Sequence, residues 1–336
     1  MVERVATRVV AFGGGHGLFA TLRALAESKR NSLHNDLEII AIVGVSDDGG
    51  SSGILRQELP IIPPGDLRMA LAALSPYREH DPTVGSINTW EDLMQFRFPE
   101  TMGSSLNGHV VGNILLAALW QSGYSAVAGL DTLGKLLGTE GVVLPCSDEP
   151  IQINAEISRT SQSGGEIVEI ISGQVAVATT NGNVLRVALE PREPQECPEA
   201  IEAVQTSNYL IFGPGSWFTS VVPHLLIPSL HAAIKNSSAR KVLVINLEPQ
   251  LGETTGFEPR DYVKSWVELF PEIQLDIVII DPKSVEDCSG FESFVSNYGI
   301  DTLWMEVAKT SETHDPRLLS LAFDTVMTMK RGTTWQ

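Results

Sequence analysis

The chain is poor in cysteine: three in 336 residues, Cys146, Cys197 and Cys288, with no CxxC pair. That argues against a disulfide frame or a zinc site and fits reduced, buried or incidental thiols in a cytoplasmic protein. Basic residues are also scarce, 23 Lys and Arg against 41 Asp and Glu, for a formal net charge of −18. Nonspecific nucleic-acid binding needs a basic face, so no nucleic-acid partner is expected. A negative ligand is still allowed, because backbone N–H groups and a few arginines can build a local positive site. No apolar run approaches the roughly 18 residues of a membrane span. The opening "MVERVATRVVAFGGG" lacks the long apolar stretch and cleavage site of a signal peptide. A soluble, cytoplasmic protein without a membrane span is the expectation.

What is present is a globular composition, 43% hydrophobic and 19% charged. Short apolar runs alternate with helical patterns. "RVVAF" (8–12) leads into glycines and then a helix with Leu18, Leu22 and Leu25 on one face, and "LEIIAIVGV" (37–45) is continuous enough to be buried on both sides. Helices are expected at Leu67–Leu74, at Thr89–Phe96 with a Thr89–Asp92 capping box, at Val110–Gln121, and at Ser125–Leu137 between an N-cap serine and a stop at Gly138. The stretches "IQINAEI", "EIVEIISGQVAVATT" and "NVLRVALE" read as an antiparallel patch. Alternation then resumes with "NYLIF", "KVLVIN", "LDIVIID" and "TLWMEV". The expected fold is one three-layer α/β/α domain over residues 1–336, a Rossmann-like, doubly wound and mostly parallel sheet. A β-rich insertion or sheet extension falls at about 145–190.

The strand ends carry the chemistry. The first ends in Gly13, Gly14, Gly15, His16 and Gly17, and the second in Asp47, Asp48, Gly49, Gly50, Ser51 and Ser52. "NYLIF" ends in Gly213, Pro214, Gly215 and Ser216, with Asn246 and Asp281 closing two later strands. In a doubly wound sheet these ends share one edge, where ligands bind. Glycine turns before helices let N–H groups approach phosphate. The first turn is neither a dinucleotide fingerprint, since Leu18 holds the last glycine position, nor a P-loop. Adjacent Asp47 and Asp48 must be compensated, by Mg²⁺, by the N–H groups of Gly49–Ser52, or by Arg56 and Arg68. Asp66, after Pro63-Pro64-Gly65, is expected as the cap of the helix bearing Arg68. Trp217 and Phe218 can flank a base or pack in the core. Asn107, His109 and Asn113 surround the start of an apolar helix, and neither His16 nor His109 has a partner set for a metal or triad.

Together "GGGHGL", "VSDDGGSSGILRQELPIIPPGDLRMALAAL", "FRFP", "GHVVGNILLAAL", "GPGSWFTS" and "NLEPQLGETTGF" resemble the YvcK/CofD-like family. The match is to its gluconeogenesis-factor branch, of an actinobacterial type, and spans about residues 8–320. The resemblance implies a Rossmann-like fold and a cytoplasmic regulatory protein that binds UDP-sugars, UDP-N-acetylglucosamine in particular, tied to cell shape, wall synthesis and growth on gluconeogenic carbon. It further implies a protein partner in wall synthesis, with self-association left open. Its other branch, 2-phospho-L-lactate transferase, moves a phospholactyl-type group onto a deazaflavin with Mg²⁺ assisting; Asp47 and Asp48 would then be the catalytic or metal-holding acids. By motif, Gly13–Gly17, Asp47–Ser52 with Arg56, and Gly213–Ser216 become nucleotide or phosphate loops. Asn246, Gln250, Glu253 and Thr254 fall beside the same ligand, with Asp66, Arg68, His109 and Asn113 as further candidates. His16 stands where threonine is typical of the family, though histidine is usual in its actinobacterial type, and Leu251 where proline is common.

Overall fold

A computed structural model describes residues 6–31, 36–76, 89–101, 103–160 and 165–329; residues 1–5, part of the opening segment read above for a leader, lie outside them. The strands are β1 (Thr7–Gly13), β2 (Leu37–Val43), β3 (Val142–Pro145), β4 (Gln152–Thr160), β5 (Glu166–Ser172), β6 (Asn183–Glu190), β7 (Tyr209–Phe212), β8 (Arg240–Val244), β9 (Ile277–Ile280) and β10 (Asp301–Trp304). Seven form one sheet in the order β10-β9-β8-β7-β1-β2-β3, and every pairing in it is parallel. From β1 the chain winds outward through β2 and β3, then returns to β7 and winds the other way. The reversal falls between β1 and β7, the place where a doubly wound sheet opens a crevice at its carboxyl edge.

Burial follows from the composition of the strands. Val9, Val10, Ala11 and Phe12 of β1 are fully buried, as are Ile277–Ile280 of β9, because helices cover both faces of a parallel sheet. Beneath the switch point the rings of Phe12 and Phe212 stack at 4.7 Å, tying the two central strands together. Strands β5-β4-β6 make a separate antiparallel sheet. Its inner residues Ile153, Ala155, Ile157, Val187 and Leu189 join the same buried cluster as the main sheet, so one hydrophobic core runs through both. This is the β-rich insertion expected at about 145–190.

The expected helices at 89–96, 110–121 and 125–137 are present, with the Thr89–Asp92 capping box and the Ser125 cap formed and Gly138 left-handed at φ +67°. Three expectations are corrected. "EIVEIISGQVAVATT" is not strand throughout: β5 stops at Ser172 and Gln174–Ala178 is a short helix. The run after Asp48, read as loop, becomes a helix, Gly50–Glu58, despite its glycines and serines. The helix expected at Leu67 starts at Gly65 and ends at Leu74; Pro64 is its N-cap and no side chain caps it. Asp66 therefore lies inside the first turn and is not the cap. Among the described residues no single helix is long and apolar enough to cross a membrane. The bent pair Trp217–Leu226 and Pro228–Asn236 passes that test jointly by length and composition, but its buried residues pack into the core.

Candidate functional site

The loop after β1 and the loop after β7 interlock at the switch point. A side-chain carbon on Gly17 would lie 2.1 Å from the Pro214 carbonyl oxygen, so only glycine permits the approach. Thr21 donates its hydroxyl to the Gly213 carbonyl at 3.1 Å. Asn246, at the end of β8, accepts from Gly215 N–H through Oδ1 and donates through Nδ2 to the Gly215 carbonyl, both at 2.9 Å. Asn246 thus latches the 213–216 turn, and its side chain is engaged with backbone.

Among the helices of eight residues or more that begin at this edge are Gly15–Arg30 and Gly50–Glu58. Neither has a side-chain cap, and neither has an acidic residue in its first turn. Helix starts normally satisfy their free N–H groups with Ser, Thr, Asp or Asn, so two bare ones at a ligand edge favour an incoming anion. His16 is exposed at the first of them.

The acids are divided in role. Asp47 accepts the Gly49 N–H through Oδ1 at 3.0 Å, one of the compensations expected. Its Oδ2 and the Ser52 hydroxyl each lie 2.4 Å from where a side chain on Gly65 would begin, and Ser52 Oγ is buried without a hydrogen-bond partner among the described residues. Asp48 turns away. Its Oδ1 accepts the Val175 N–H at 3.0 Å, so it caps the short helix 174–178 of the antiparallel sheet from a distance of 127 residues in sequence. Asp66 is half-buried as a residue, but its carboxyl group stands deep against the first glycine loop, with Oδ2 2.3 Å from a notional side chain on Gly14. Burial and the neighbouring Asp47 push its pKa up to about 7, against the pull of Gly15 N–H and Arg68.

Three guanidinium groups balance these acids. Burial lowers the Arg56 pKa while Asp48 and Asp47 hold it up, and its Nη1 donates to the Ser46 carbonyl at 3.4 Å. Arg68 is 7% exposed; burial, then the nearby charge of Arg97, lower it to about 10 against Asp66 and Asp47. Its Nε donates to Asn113 Oδ1 at 3.0 Å, and Asn113 Nδ2 donates in turn to Ser51 Oγ at 3.1 Å. Ser51 Oγ also accepts from Val110 N–H and lies 3.2 Å from His109 Nδ1. Ser51, His109 and Asn113 are therefore a buried bracket that ties helix 50–58 to helix 111–121, behind the crevice.

The loop after β7 is different. Trp217 and Phe218 are buried, Trp217 donating its indole N–H to Ser265 Oγ at 2.9 Å, so both serve the core. Glu253 is 2% exposed and faces the N–H groups of 217–219 and the Thr219 hydroxyl, which favour its charge; burial prevails and pushes it up to about 7. Neither oxygen completes a hydrogen bond among the described residues. Thr254 is fully buried and holds the 250–254 turn through the Gln250 N–H and Tyr262. Sequence reasoning missed two residues. Arg97, carried by the quoted "FRFP", couples to Arg68 and stands at Gly50. Val175 closes on Asp48, which no local spacing reveals. Among the described residues no three His, Cys, Asp or Glu side chains converge as a metal cage.

This is a doubly wound α/β protein whose candidate site, at the switch point, gathers helix starts and arginines. The profile of the family 2-phospho-L-lactate transferase CofD matches residues 9–293. A Mycobacterium tuberculosis relative, provisionally named a gluconeogenesis factor, is 43% identical over 277 residues, 82% of this chain and 76% of its own length. The gluconeogenesis factor of Bacillus subtilis is 34% identical over 280 residues, 83% of this chain and 80% of its own. The crystal structure of a UPF0052 family protein from Bacillus halodurans superposes with a TM-score of 0.78 at 32% identity, covering 95% of this chain and 99% of the other. The chain belongs to the CofD family, with gluconeogenesis factors among its relatives.

Proposed function

We propose that the crevice binds a nucleotide sugar of the UDP-N-acetylglucosamine type by its phosphates, and that the protein is a cytoplasmic regulator linked to cell shape, wall synthesis and gluconeogenic growth. One observation carries the reading: two uncapped helix starts and the guanidinium groups of Arg56 and Arg68 meet at the switch point of a chain with net charge −18. The N–H groups of Gly15–Gly17 and Gly50–Ser52 would take the phosphate oxygens, and the ring of Trp217, being core, would not stack on the base. Mg²⁺ fits as an ion that arrives with the phosphates and meets Asp47, since Asp48 turns one oxygen to the Val175 N–H; it would supply neutralising charge. A pocket and a surface that changes when it fills suffice for a sensor. Calorimetry with UDP-N-acetylglucosamine, UDP-glucose, GDP and NAD tests this, with micromolar-range binding of the uridine ligands expected. Silence from both, beside clear NAD binding, would sink it.

The transferase reading is favoured by two things, the transferase name of the matching family profile and the Asp66 carboxyl, which at about 7 can hold or release a proton near neutral pH. Mass spectrometry after incubation with a deazaflavin acceptor, Mg²⁺ and a phospholactyl-type nucleotide donor decides it. A new phosphodiester that disappears in Asp66→Asn makes the protein an enzyme; unchanged reactants leave the sensor.

A further inference from the structure

Among the described strands β5 alone has no buried residue. It pairs with β4 on one side, and among the described residues no strand pairs with its other side. Yet Ile167, Val168, Ile170 and Ile171 make most of it apolar, with Ile170 70% exposed and Val168 58%. The edge strand β3 of the main sheet shows the contrast, since three of its four residues are buried. Native sheets shorten, charge or cover their edges, because a free row of N–H and C=O groups invites another strand. A long apolar edge left open is the mark of a surface that meets protein.

The charges around this edge cancel within the sheet. Residues opposite one another in a ladder share a face. Glu169 lies opposite Ile157 on the inner face and pairs with Arg159 at 2.6 Å. On the outer face Ile170 lies opposite Glu156, which in turn lies opposite Arg186 of β6. Glu166, at the start of the strand, faces Thr160 and has no basic residue opposite it. A chain of net charge −18 repels its own copies over most of its surface. The stretch 168–172, whose one acid already has its arginine, is a place where two copies meet without that repulsion. A basic partner, the kind the net charge would otherwise draw, finds no excess charge there.

We propose that β5 is the contact surface for a second copy of this chain, the two β5 strands pairing antiparallel about a two-fold axis at Ile170. The sheet β6-β4-β5 then continues into β5-β4-β6 of the second copy. An antiparallel pair of identical strands is self-complementary, so one patch serves both chains. The charges choose the register. Centred on Glu169, the pairing would set two acids face to face; centred on Val168, it would set the unmatched Glu166 against Ile170. Centred on Ile170, that residue faces its own copy, Val168 faces Ser172 of the second copy, and Glu169 faces Ile171, so no acid opposes an acid. The proposal goes beyond the nucleotide reading and does not rest on it.

Sedimentation velocity of the whole chain, from about 1 to 100 µM, tests this. A reversible monomer–dimer equilibrium is expected in that range, since one strand pair is smaller than the roughly 1,600 Å² of a stable interface. It should strengthen between roughly 50 and 500 mM salt, as repulsion between the two acidic chains is screened. Ile170→Lys and Ile170→Glu should each raise the dissociation constant about tenfold or more, by setting like charges opposite one another. Both should keep the parent's melting temperature, because the side chain is exposed. An equimolar mixture of the two variants should restore the dimer, because residue 170 faces itself across the axis. A chain that stays monomeric throughout gives the edge to a different protein and overturns the proposal. So do assemblies larger than a dimer, a dimer that both variants keep, and a mixture that stays monomeric.

Discussion

The helix start at Gly50 and the helical turn at Trp217 look alike in sequence and differ in what fills them. Each follows a buried strand, opens on glycine and serine, and lacks a local side-chain cap. At Trp217 the protein supplies its own carboxyl group, that of Glu253, reaching in from the loop after β8. At Gly50 no acid among the described residues takes that place; Asp47 binds the Gly49 N–H, Asp48 leaves for Val175, and Arg97 stands in front. A glycine-serine turn thus sets a geometry without deciding the occupant. The loop after β7 is therefore filled as scaffold, which leaves the loops after β1 and β2 as the candidate face for the proposed ligand.

The strongest way to break that division is at the interlock. Gly17→Ala drives a methyl group into the Pro214 carbonyl, which cannot retreat while Asn246 holds Gly215 on both sides. A loss of about 1–3 kcal/mol in urea unfolding is expected, together with loss of ligand binding. Unchanged stability would mean that the two loops are not mutually fixed.

Glu253→Gln sharpens the comparison through pH. The folded-state pKa of about 7 lies above the ordinary value of 4.5, so the folded protein binds the proton more tightly than the unfolded chain. Stability from this group is full below about pH 4.5, falls as pH rises towards 7, and is level above. The variant removes that slope and should be the more stable protein at pH 8, by an amount on the order of 1–3 kcal/mol, measured as urea midpoints at pH 5, 6.5 and 8. Asp66 contributes a slope of the same sign, so Asp66→Asn is the control. A parallel pH profile in Glu253→Gln and the parent would mean that burial does not hold the Glu253 carboxyl above its ordinary pKa.

Much of this was legible in the sequence, and the failures have physical causes. The parallel sheet followed from strands apolar on both faces, and the shared edge followed from the topology that such strands impose. The Thr89 and Ser125 caps were readable because caps act over three residues. The roles of Asp48 and Asp66 were not, since each meets a partner that the fold supplies: Val175, 127 residues away, and the Gly14–Gly15 turn. Helix 50–58 was missed because Gly, Ser and Ser at its start have poor propensity, which packing of Leu55 and the Ser51 bracket overrides. Arg97 sat inside a quoted motif, but its importance lies in its distance from Arg68, which sequence does not encode locally.

A smaller effect separates the two acids. Asp48→Ala removes the distant cap on helix 174–178 and should cost about 1 kcal/mol of ligand-free stability. Asp47→Asn keeps the acceptor for Gly49 N–H and should leave ligand-free melting nearly unchanged while weakening nucleotide or Mg²⁺ binding. Differential calorimetry and ligand titration on the two variants measure both effects. Reversed results would make Asp48 the ligand residue and Asp47 the structural one.

The smallest expected effect is at His16. It is the exposed residue of the first glycine loop, and its imidazole makes no hydrogen bond to another described residue. His16→Ala should change stability by less than about 0.5 kcal/mol, as for surface positions without special contacts. Its effect on nucleotide-sugar affinity discriminates more. If the backbone N–H groups of Gly15–Gly17 carry the phosphate, deleting the imidazole leaves the affinity within about twofold, since the donors belong to the chain and not to the side chain. His16→Thr should then match His16→Ala. A tenfold loss in His16→Ala, restored in His16→Thr, would show that this loop grips its ligand through a side-chain donor after all.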